Sequence, residues 1–312
     1  MESKLEQNII HQPLLQSNIG KDVGFSHGKT GYMYTIFAFW LIAFNLCAQE
    51  TGIFPNSKAR METMVVDSGS FRILYAMNAV DIYDEKTYDD LQRLEIGNGL
   101  SKYYSYYLFR NDSLIIDFGK KNVRGGIKQP GEVGKKGFWW SLFIWSDYFK
   151  DFKTNEFTEY ALMPGGIKPN RFYTEEIPKQ DWDLQDDTLT ICGYSCQKAT
   201  CRFRVRDYVA WFAAELPVSN GPWKFGGLPG LILKVFDTDN YYVFECIKIE
   251  NHTQNFPIIM YDTKQFQSIE RLKLSQLNRD IYADYYKLIQ FQDAQGIPMK
   301  FTPVPYHPLE LE

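Results

Sequence analysis

Short apolar and aromatic runs alternate with polar turns along the second half of the chain. Gly, Pro, Asn and Asp occupy the turns, and the runs are rich in Val, Ile, Tyr and Phe, the residues that pack well on a pleated surface. Regular short strands with polar turns indicate a single antiparallel sheet or barrel. The predicted strands are Glu156–Met163, Arg171–Ile177, Asp187–Cys192, Ser195–Val205, Tyr208–Glu215, Leu228–Phe236 and Tyr241–Ile249.

The region before these strands carries weaker signals. Arg60–Asp67 and Phe71–Val80 read as a strand pair around the small residues 68–70, and Leu91–Ile96 reads as a further strand. The segment Ser101–Phe118 is aromatic enough for a strand, but we favour a helix in its first half, with Ser101 as the N-cap.

The C-terminal quarter changes period. Lys264–Ile289 lacks Gly and Pro and has apolar residues mostly three or four apart, which predicts an amphipathic helix covering the sheet. The proline-rich residues Pro298–Glu312 are expected to be extended, and Gly119–Gly137 to be a surface loop. The expected fold is mainly β (β with minor α): a curved antiparallel sheet or half-barrel with a covering C-terminal helix.

One apolar run near the N-terminus predicts export. Tyr32–Ala48 contains no charged residue, and polar sequence follows it without a basic cluster. We interpret residues 1–48 as an export signal with a long N-terminal preamble, cleaved near Ala48, and residues 49–312 as a single domain. The alternatives are an uncleaved anchor, which would give the only membrane contact, and lipidation at Cys47. The expected location is the periplasm, the outer envelope or the exterior.

Charge and motif content narrow the function classes. The net charge of −4 argues against a nucleic-acid partner, because phosphate binding depends on an excess of Lys and Arg. The chain has 4 histidines and none of the serine-elbow, zinc-protease or phosphate-loop motifs. We therefore predict no catalytic residue, no metal site and no cofactor.

A glycine-rich segment, Gly226–Ile232, leads into the predicted strand that ends at Phe236. Pro229 fixes φ and Gly230 can adopt a positive φ, as a type II turn requires, so this segment reads as a tight turn or as a rigid lip for a ligand. Trp211, Trp223 and Phe225 lie close by in sequence, either as core residues or as an aromatic wall for an apolar or sugar ligand.

Two side-chain pairings are also open. Lys198 could pair across strands with Glu215, at the surface or in a buried site. Among the cysteines after the signal, Cys192 and Cys196 could form a disulfide only if the chain turns sharply at Gly193, because a straight strand would hold them too far apart. Cys246 is the better partner on a neighbouring strand, and Cys201 is our choice for its disulfide.

Three blocks of sequence together resemble the GLPGLI family, exported proteins of Bacteroidota. They are residues 191–200 (ICGYSCQKAT), residues 203–217 with their Arg, Trp and Leu-Pro positions, and residues 221–232 (GPWKFGGLPGLI). Val205 departs from the glycine usual in the family, and the extra cysteines are not part of its pattern. The resemblance implies an exported protein without an established reaction. The Tyr-x-Cys-x-Lys strand also resembles lipoprotein carriers, which implies a curved sheet around helices.

The expected function is non-catalytic binding of an apolar small molecule or an envelope partner protein. The alternatives are a thiol- or His-dependent enzyme using Cys196 or His252, and a purely structural envelope protein. The candidate binding residues are Tyr194, Cys196, Lys198, Trp211, Glu215, Trp223, Phe225, Gly227, Leu228, Pro229 and Gly230.

Overall fold

The computed structural model describes residues 53, 55–58, 61–120 and 145–312. The described part of the protein is mainly β, with a smaller helical content. The helices are α1 (Tyr106–Lys120) and α2 (Arg271–Leu288), with 3₁₀ turns at Glu85–Thr87 and Thr263–Gln265. The strands are β1 (Thr63–Met77), β2 (Asp90–Gly97), β3 (Leu100–Ser105), β4 (Ser146–Asp151), β5 (Glu156–Ala161), β6 (Asn170–Glu176), β7 (Asp183–Ile191), β8 (Tyr194–Phe203), β9 (Arg206–Ala213), β10 (Leu231–Asp237), β11 (Val243–Tyr261) and β12 (Phe266–Ser268).

In the described part of the chain these strands form one open sheet in the order β12-β6-β5-β4-β3-β2-β1-β11-β10-β9-β8-β7. All neighbours are antiparallel except β12, which pairs parallel with β6. The sheet is strongly curved: Cys192, in the β7–β8 turn, reaches within 3.5 Å of Cys246 on β11, although β9 and β10 lie between β8 and β11. The expected curved, mainly antiparallel sheet with a C-terminal helix is confirmed.

The concave face holds the main core, and α2 covers it. Leu231, Leu233 and Val235 of β10 are fully buried there. Burying such side chains provides most of the driving force for folding, at about 25 cal/mol per Å² of apolar surface. Ile281 and Tyr285 of α2 belong to the same apolar cluster, so the helix buries its amphipathic face against the sheet.

The opposite face carries a second layer. Tyr107 of α1 packs with Leu74 of β1 and Leu91 of β2. Phe149 and Tyr160 form a separate aromatic cluster farther along the sheet, with their rings edge-to-face at 5.6 Å. The sheet is therefore covered on both sides over part of its area, which explains why β2 and β3 are buried along nearly their whole length.

Two predictions for the N-terminal region were wrong. Residues 63–77 form one strand, not a hairpin, because Gly69 continues the strand opposite Phe256, whose ring occupies the place a side chain would need. Leu100–Ser105 is a strand, not a helix, since its aromatic residues pack on the sheet. The helix begins at Tyr106, and the Ser105 hydroxyl accepts from the Leu108 N–H at 3.2 Å. Ser105 thus has the capping role predicted for Ser101.

The later strands appear where the pattern placed them, with ends shifted by a few residues. β4 and β12 were not anticipated, and β11 runs twelve residues beyond the predicted end at Ile249. The helix starts at Arg271 rather than Lys264, because Asp262 caps the short 3₁₀ turn by accepting from the Lys264 N–H at 3.0 Å. Residues 298–312 contain no helix or strand, as expected.

The predicted export signal 1–48 and most of the predicted surface loop, from residue 121 onward, lie outside the described residues, whereas Gly119 and Lys120 end α1. Within the described part, neither α1 nor α2 is long and apolar enough to cross a membrane.

Candidate functional site

The glycine-rich segment forms a loop between β9 and β10 with unusual backbone geometry. Gly227 has a φ of +83° and Trp223 a φ of +49°, whereas Gly230 is not in the left-handed region. The predicted type II turn at Pro229-Gly230 is therefore wrong, and Gly227 is the residue that needs glycine's freedom there. Gly230 is required for a different reason: a Cβ at this position would lie 2.3 Å from the Ala213 carbonyl oxygen.

A buried lysine from another strand anchors this loop. Lys150 of β4 donates from Nζ to Asn220 Oδ1 at 2.9 Å and to the Phe225 carbonyl oxygen at 2.5 Å. These acceptors belong to neutral groups, and burial lowers the pKa of Lys150 to about 7. The interaction fixes two points of the loop to the middle of the sheet.

The aromatic residues of the loop are core residues. Trp223 and Phe225 are buried, with ring centroids 5.3 Å apart in an edge-to-face contact, and Tyr208 packs on Phe225 at 4.8 Å. Leu228 is also buried. The aromatic-wall interpretation is therefore wrong for Phe225, while Trp211 is only half-buried on β9.

Between these two aromatic residues, Lys224 enters a cluster of charged side chains. Its side chain is 1% exposed, and Nζ lies 2.6 Å from Glu175 Oε1 and against Glu310 Oε1. Arg271 of α2 contacts Glu310 Oε2 at 2.6 Å, and Arg204 contacts Glu175 Oε2 at 3.0 Å. The charge cluster, which is these five residues, thus sets three cations against two carboxylates.

The charge cluster adjoins a cavity of about 100 Å³, room for about three water molecules. Glu159 faces this cavity and accepts from the Ser146 hydroxyl at 2.7 Å. Burial raises the pKa of Glu159, and the nearby Lys224 ammonium opposes that effect. The cavity is further lined by residues of the sheet and its connections, α2 and the C-terminal tail, which include Trp145, Tyr148, Tyr173, Trp223, Tyr242, Ser275, Asn278, Tyr282 and Tyr306.

The C-terminal tail, residues 298–312, forms one wall of the cavity through backbone contacts. Arg206 donates to the Pro308 carbonyl oxygen at 2.8 Å, and Tyr208 Oη donates to that of Leu309 at 3.1 Å. Tyr306 stacks on Tyr282 of α2 with ring centroids 4.6 Å apart. These contacts carry Glu310 into the charge cluster.

Most of the residues predicted for the site lie elsewhere. Lys198 pairs with Asp187 at 3.1 Å rather than with Glu215, which is exposed beyond the end of β9. Tyr194 and Cys196 lie at the start of β8, and of the eleven predicted residues only Trp223 lines the cavity. Lys224 was missed, although a lysine between two motif aromatics was a usable signal. Glu159, Arg271 and Glu310 are brought in from distant segments and carried no local signal.

The residues of the predicted enzyme alternative are poorly suited to catalysis. Cys196 is fully buried, and burial raises its pKa to about 11, whereas a nucleophilic cysteine needs a lowered pKa. His252 lies on β11 with Nε2 3.4 Å from Glu250 Oε2, in a separate part of the sheet. Over the part of the chain that the structure describes, no group of His, Cys, Asp and Glu residues could hold a metal ion.

Residues 148–275, which run from within β4 to the first turns of α2 and include the glycine-rich loop, match a family model described as "N-glycanase peptide, N-terminal domain". No curated protein matches. A solved structure of PNGF-II in space group P21 is 15% identical, with a TM-score of 0.41, and the similarity covers 67% of this chain and 33% of that one. A second PNGF-II structure, in space group C2, is 14% identical with the same TM-score. The chain thus spans about a third of the length of these structures.

The close approach at Gly230 gives a first prediction. Gly230→Ala should lower the free energy of unfolding by about 3 kcal/mol, because the added methyl group meets the Ala213 backbone. Gly226→Ala is the matched control, since its Cβ would meet nothing closer than 3.4 Å, and it should cost less than about 1 kcal/mol. Urea unfolding measures both free energies. Equal decreases for the two variants would contradict the claim that Gly230 is required by its close approach to Ala213.

The two motif lysines should differ sharply in a second comparison. Lys224→Ala removes the buried ammonium between Glu175 and Glu310, which keep only Arg204 and Arg271 as partners, and should cost about 3 kcal/mol of unfolding free energy. Lys198→Ala removes a half-exposed pair and should cost less than about 1 kcal/mol. If Lys198→Ala lowered the free energy of unfolding as much as Lys224→Ala does, the charge cluster would not be the more stabilising of the two interactions.

Lys150 makes stability depend on pH. Between its folded pKa of about 7 and its unfolded value of 10.5, the unfolded chain holds a proton that the folded chain lacks, so rising pH favours folding. The free energy of unfolding of the wild type, relative to Lys150→Met, should rise by up to about 1.4 kcal/mol per pH unit in this window. Urea unfolding from pH 7 to 10 tests this, and a constant difference would rule it out.

Proposed function

We propose that this chain is an exported, non-catalytic binding domain whose cavity takes the anionic end of a small ligand. The observation that carries the proposal is the charge cluster beside the cavity, where Arg204, Lys224 and Arg271 outnumber the carboxylates of Glu175 and Glu310. Arg271 also donates to the backbone oxygen of Glu312 at 2.5 Å. These five side chains carry one more positive than negative charge, and burial raises the pKa of the neighbouring Glu159 carboxyl. An anionic ligand group would balance the excess positive charge.

The size and lining of the cavity determine which part of a ligand can enter it and which ligand chemistry suits it. A volume of about 100 Å³ accepts a carboxylate and a few atoms, but not a whole sugar ring. Trp145 and Tyr306 add aromatic surface to the polar lining, a combination common in sites for polar organic ligands. The polar lining favours such a ligand over the apolar one that the sequence predicted.

The comparisons support a role in glycan recognition. The matching family model is described as the N-terminal domain of an N-glycanase, which is consistent with a domain that assists recognition. A sugar with an acidic group is therefore the ligand class that we propose. Membership of the GLPGLI family and an envelope location remain part of the proposal and rest on the three motif blocks and the apolar run at Tyr32–Ala48.

Two sugars that differ in one carboxylate test the proposal. The indole ¹⁵N–¹H signals of the chain, which include those of Trp145 and Trp223, should shift in a saturable way on titration with D-glucuronate but not with D-glucose. Arg271→Gln should weaken glucuronate binding at least about tenfold, because it removes one charge of the cluster, a loss of about 1.4 kcal/mol or more.

Lys273→Gln is the matched control on the same helix, because Lys273 is exposed and pairs only with the exposed Glu270. This variant should bind glucuronate as the wild type does. Absence of any saturable shift with glucuronate would overturn the proposal and favour a structural domain. Equal shifts with both sugars would show that the negative charge is not recognised.

A further inference from the structure

Two cysteines from distant parts of the chain lie side by side. Cys192 Sγ is 3.5 Å from Cys246 Sγ and 3.1 Å from the Cys246 carbonyl oxygen. A disulfide holds its sulfur atoms at about 2.05 Å, so the two sulfur atoms would have to move about 1.5 Å closer to form the bond. Cys201, the partner expected from the sequence, lies instead opposite Tyr208 in the β8–β9 ladder.

The hairpin turn between β7 and β8 carries Cys192 to this place. Cys192 and Gly193 both have positive φ, +49° and +85°, between the paired residues Ile191 and Tyr194. This is the backbone of a two-residue turn that favours Asn-Gly or Gly-Gly. Cysteine gains nothing from the left-handed conformation, so the turn alone does not account for a cysteine there.

Accessibility differs between the two thiols in the way that disulfide exchange requires. Cys192 is exposed, whereas Cys246 is 3% exposed. The hydrogen bond between the two thiols lowers the pKa of Cys192, and the same contact together with burial raises the pKa of Cys246. Cys192 is therefore the thiol that meets an external reagent first, and Cys246 is the one that resolves the reaction.

We propose that Cys192 and Cys246 form a disulfide that fastens the β7–β8 hairpin to β11 across the concave face. The Cys192 thiolate attacks a small-molecule or protein disulfide, forms a mixed disulfide and releases one thiolate of the donor. The Cys246 thiolate then attacks the sulfur of Cys192 and releases the second donor thiolate. The donor is reduced to two thiols, which take up the two protons lost by the cysteines.

The other described cysteines are poor competitors. Cys196 is fully buried on β8, and its Sγ faces the Tyr194 carbonyl oxygen at 3.6 Å. The Cys192–Cys246 bond would join residues 54 positions apart and strands that are not neighbours in the sheet. Closing so long a loop restricts the unfolded chain strongly, so the bond should stabilise the curved sheet.

Oxidised glutathione is the probe for the experiment, in a Cys47→Ser background that removes the cysteine outside the described residues. After incubation of the folded chain, free thiols are alkylated in denaturant and the digested peptides are mapped by mass spectrometry. We expect one cross-linked pair, Cys192 with Cys246, and alkylated Cys196 and Cys201. The Tm should rise by about 10 °C on oxidation and return with dithiothreitol.

Two variants make the result specific. Cys192→Ser should fold normally, since the side chain is exposed, and its Tm should not respond to oxidised glutathione; Cys201→Ser should respond as the parent does. Alkylation of both Cys192 and Cys246 after oxidation would overturn the proposal. So would a cross-link through Cys196, or an equal rise in Tm in the Cys192→Ser variant.

Discussion

The burial of the Lys224 ammonium is the constraint on which the arrangement of the site depends. An ammonium group at 1% exposure needs charged partners, because moving an uncompensated charge out of water costs several kcal/mol. The buried Lys150, whose acceptors are neutral, has a lowered pKa instead. Neighbouring residues in the loop do not supply the charged partners of Lys224. The carboxylates come from Glu175 on β6 and Glu310 in the tail, so one buried charge draws together segments far apart in the chain.

The same constraint explains the C-terminal tail. Residues 298–312 have neither helix nor strand, yet they follow a defined path because Arg206 and Tyr208 bind their carbonyl oxygens. Arg271 of α2 then shares Glu310 with Lys224. Loop, helix and tail thus meet at one carboxylate, and the cavity exists where these three elements leave a gap beside Glu159. A buried ion pair is weak evidence for net stability, but it is a strong restraint on geometry.

The fold was largely accessible from the sequence because strand signals are local. Alternation of aromatic and polar residues located β5 to β10, and the helical period of residues 264–289 located α2. The errors arose where tertiary packing decided the outcome. Phe256 lies over Gly69 and keeps β1 continuous. Tyr103 and Tyr104 are in a strand because β3 pairs with β2 at these positions. Neither contact is encoded within the segment it changes.

The site was harder to predict from the sequence for the same reason. The glycine-rich loop stood out in the sequence, but its glycines serve backbone packing, and its aromatic residues serve the core. The loop residue that contributes a charge to the site is Lys224. Its role depends on Glu175 and Glu310, which lie 49 and 86 positions away in the sequence. The Cys192–Cys246 contact likewise arises from sheet curvature, which no spacing rule along one strand reveals.

Amide hydrogen exchange of the wild type and Glu310→Gln, followed by mass spectrometry, tests the central claim most directly. If the buried Lys224 ammonium holds the tail through Glu310, the variant should lose protection in residues 298–312 and also in the loop at 219–227, while β1 and β2 keep theirs. Unchanged protection in both segments would contradict the account, because the tail and the loop would then be held independently of this charge.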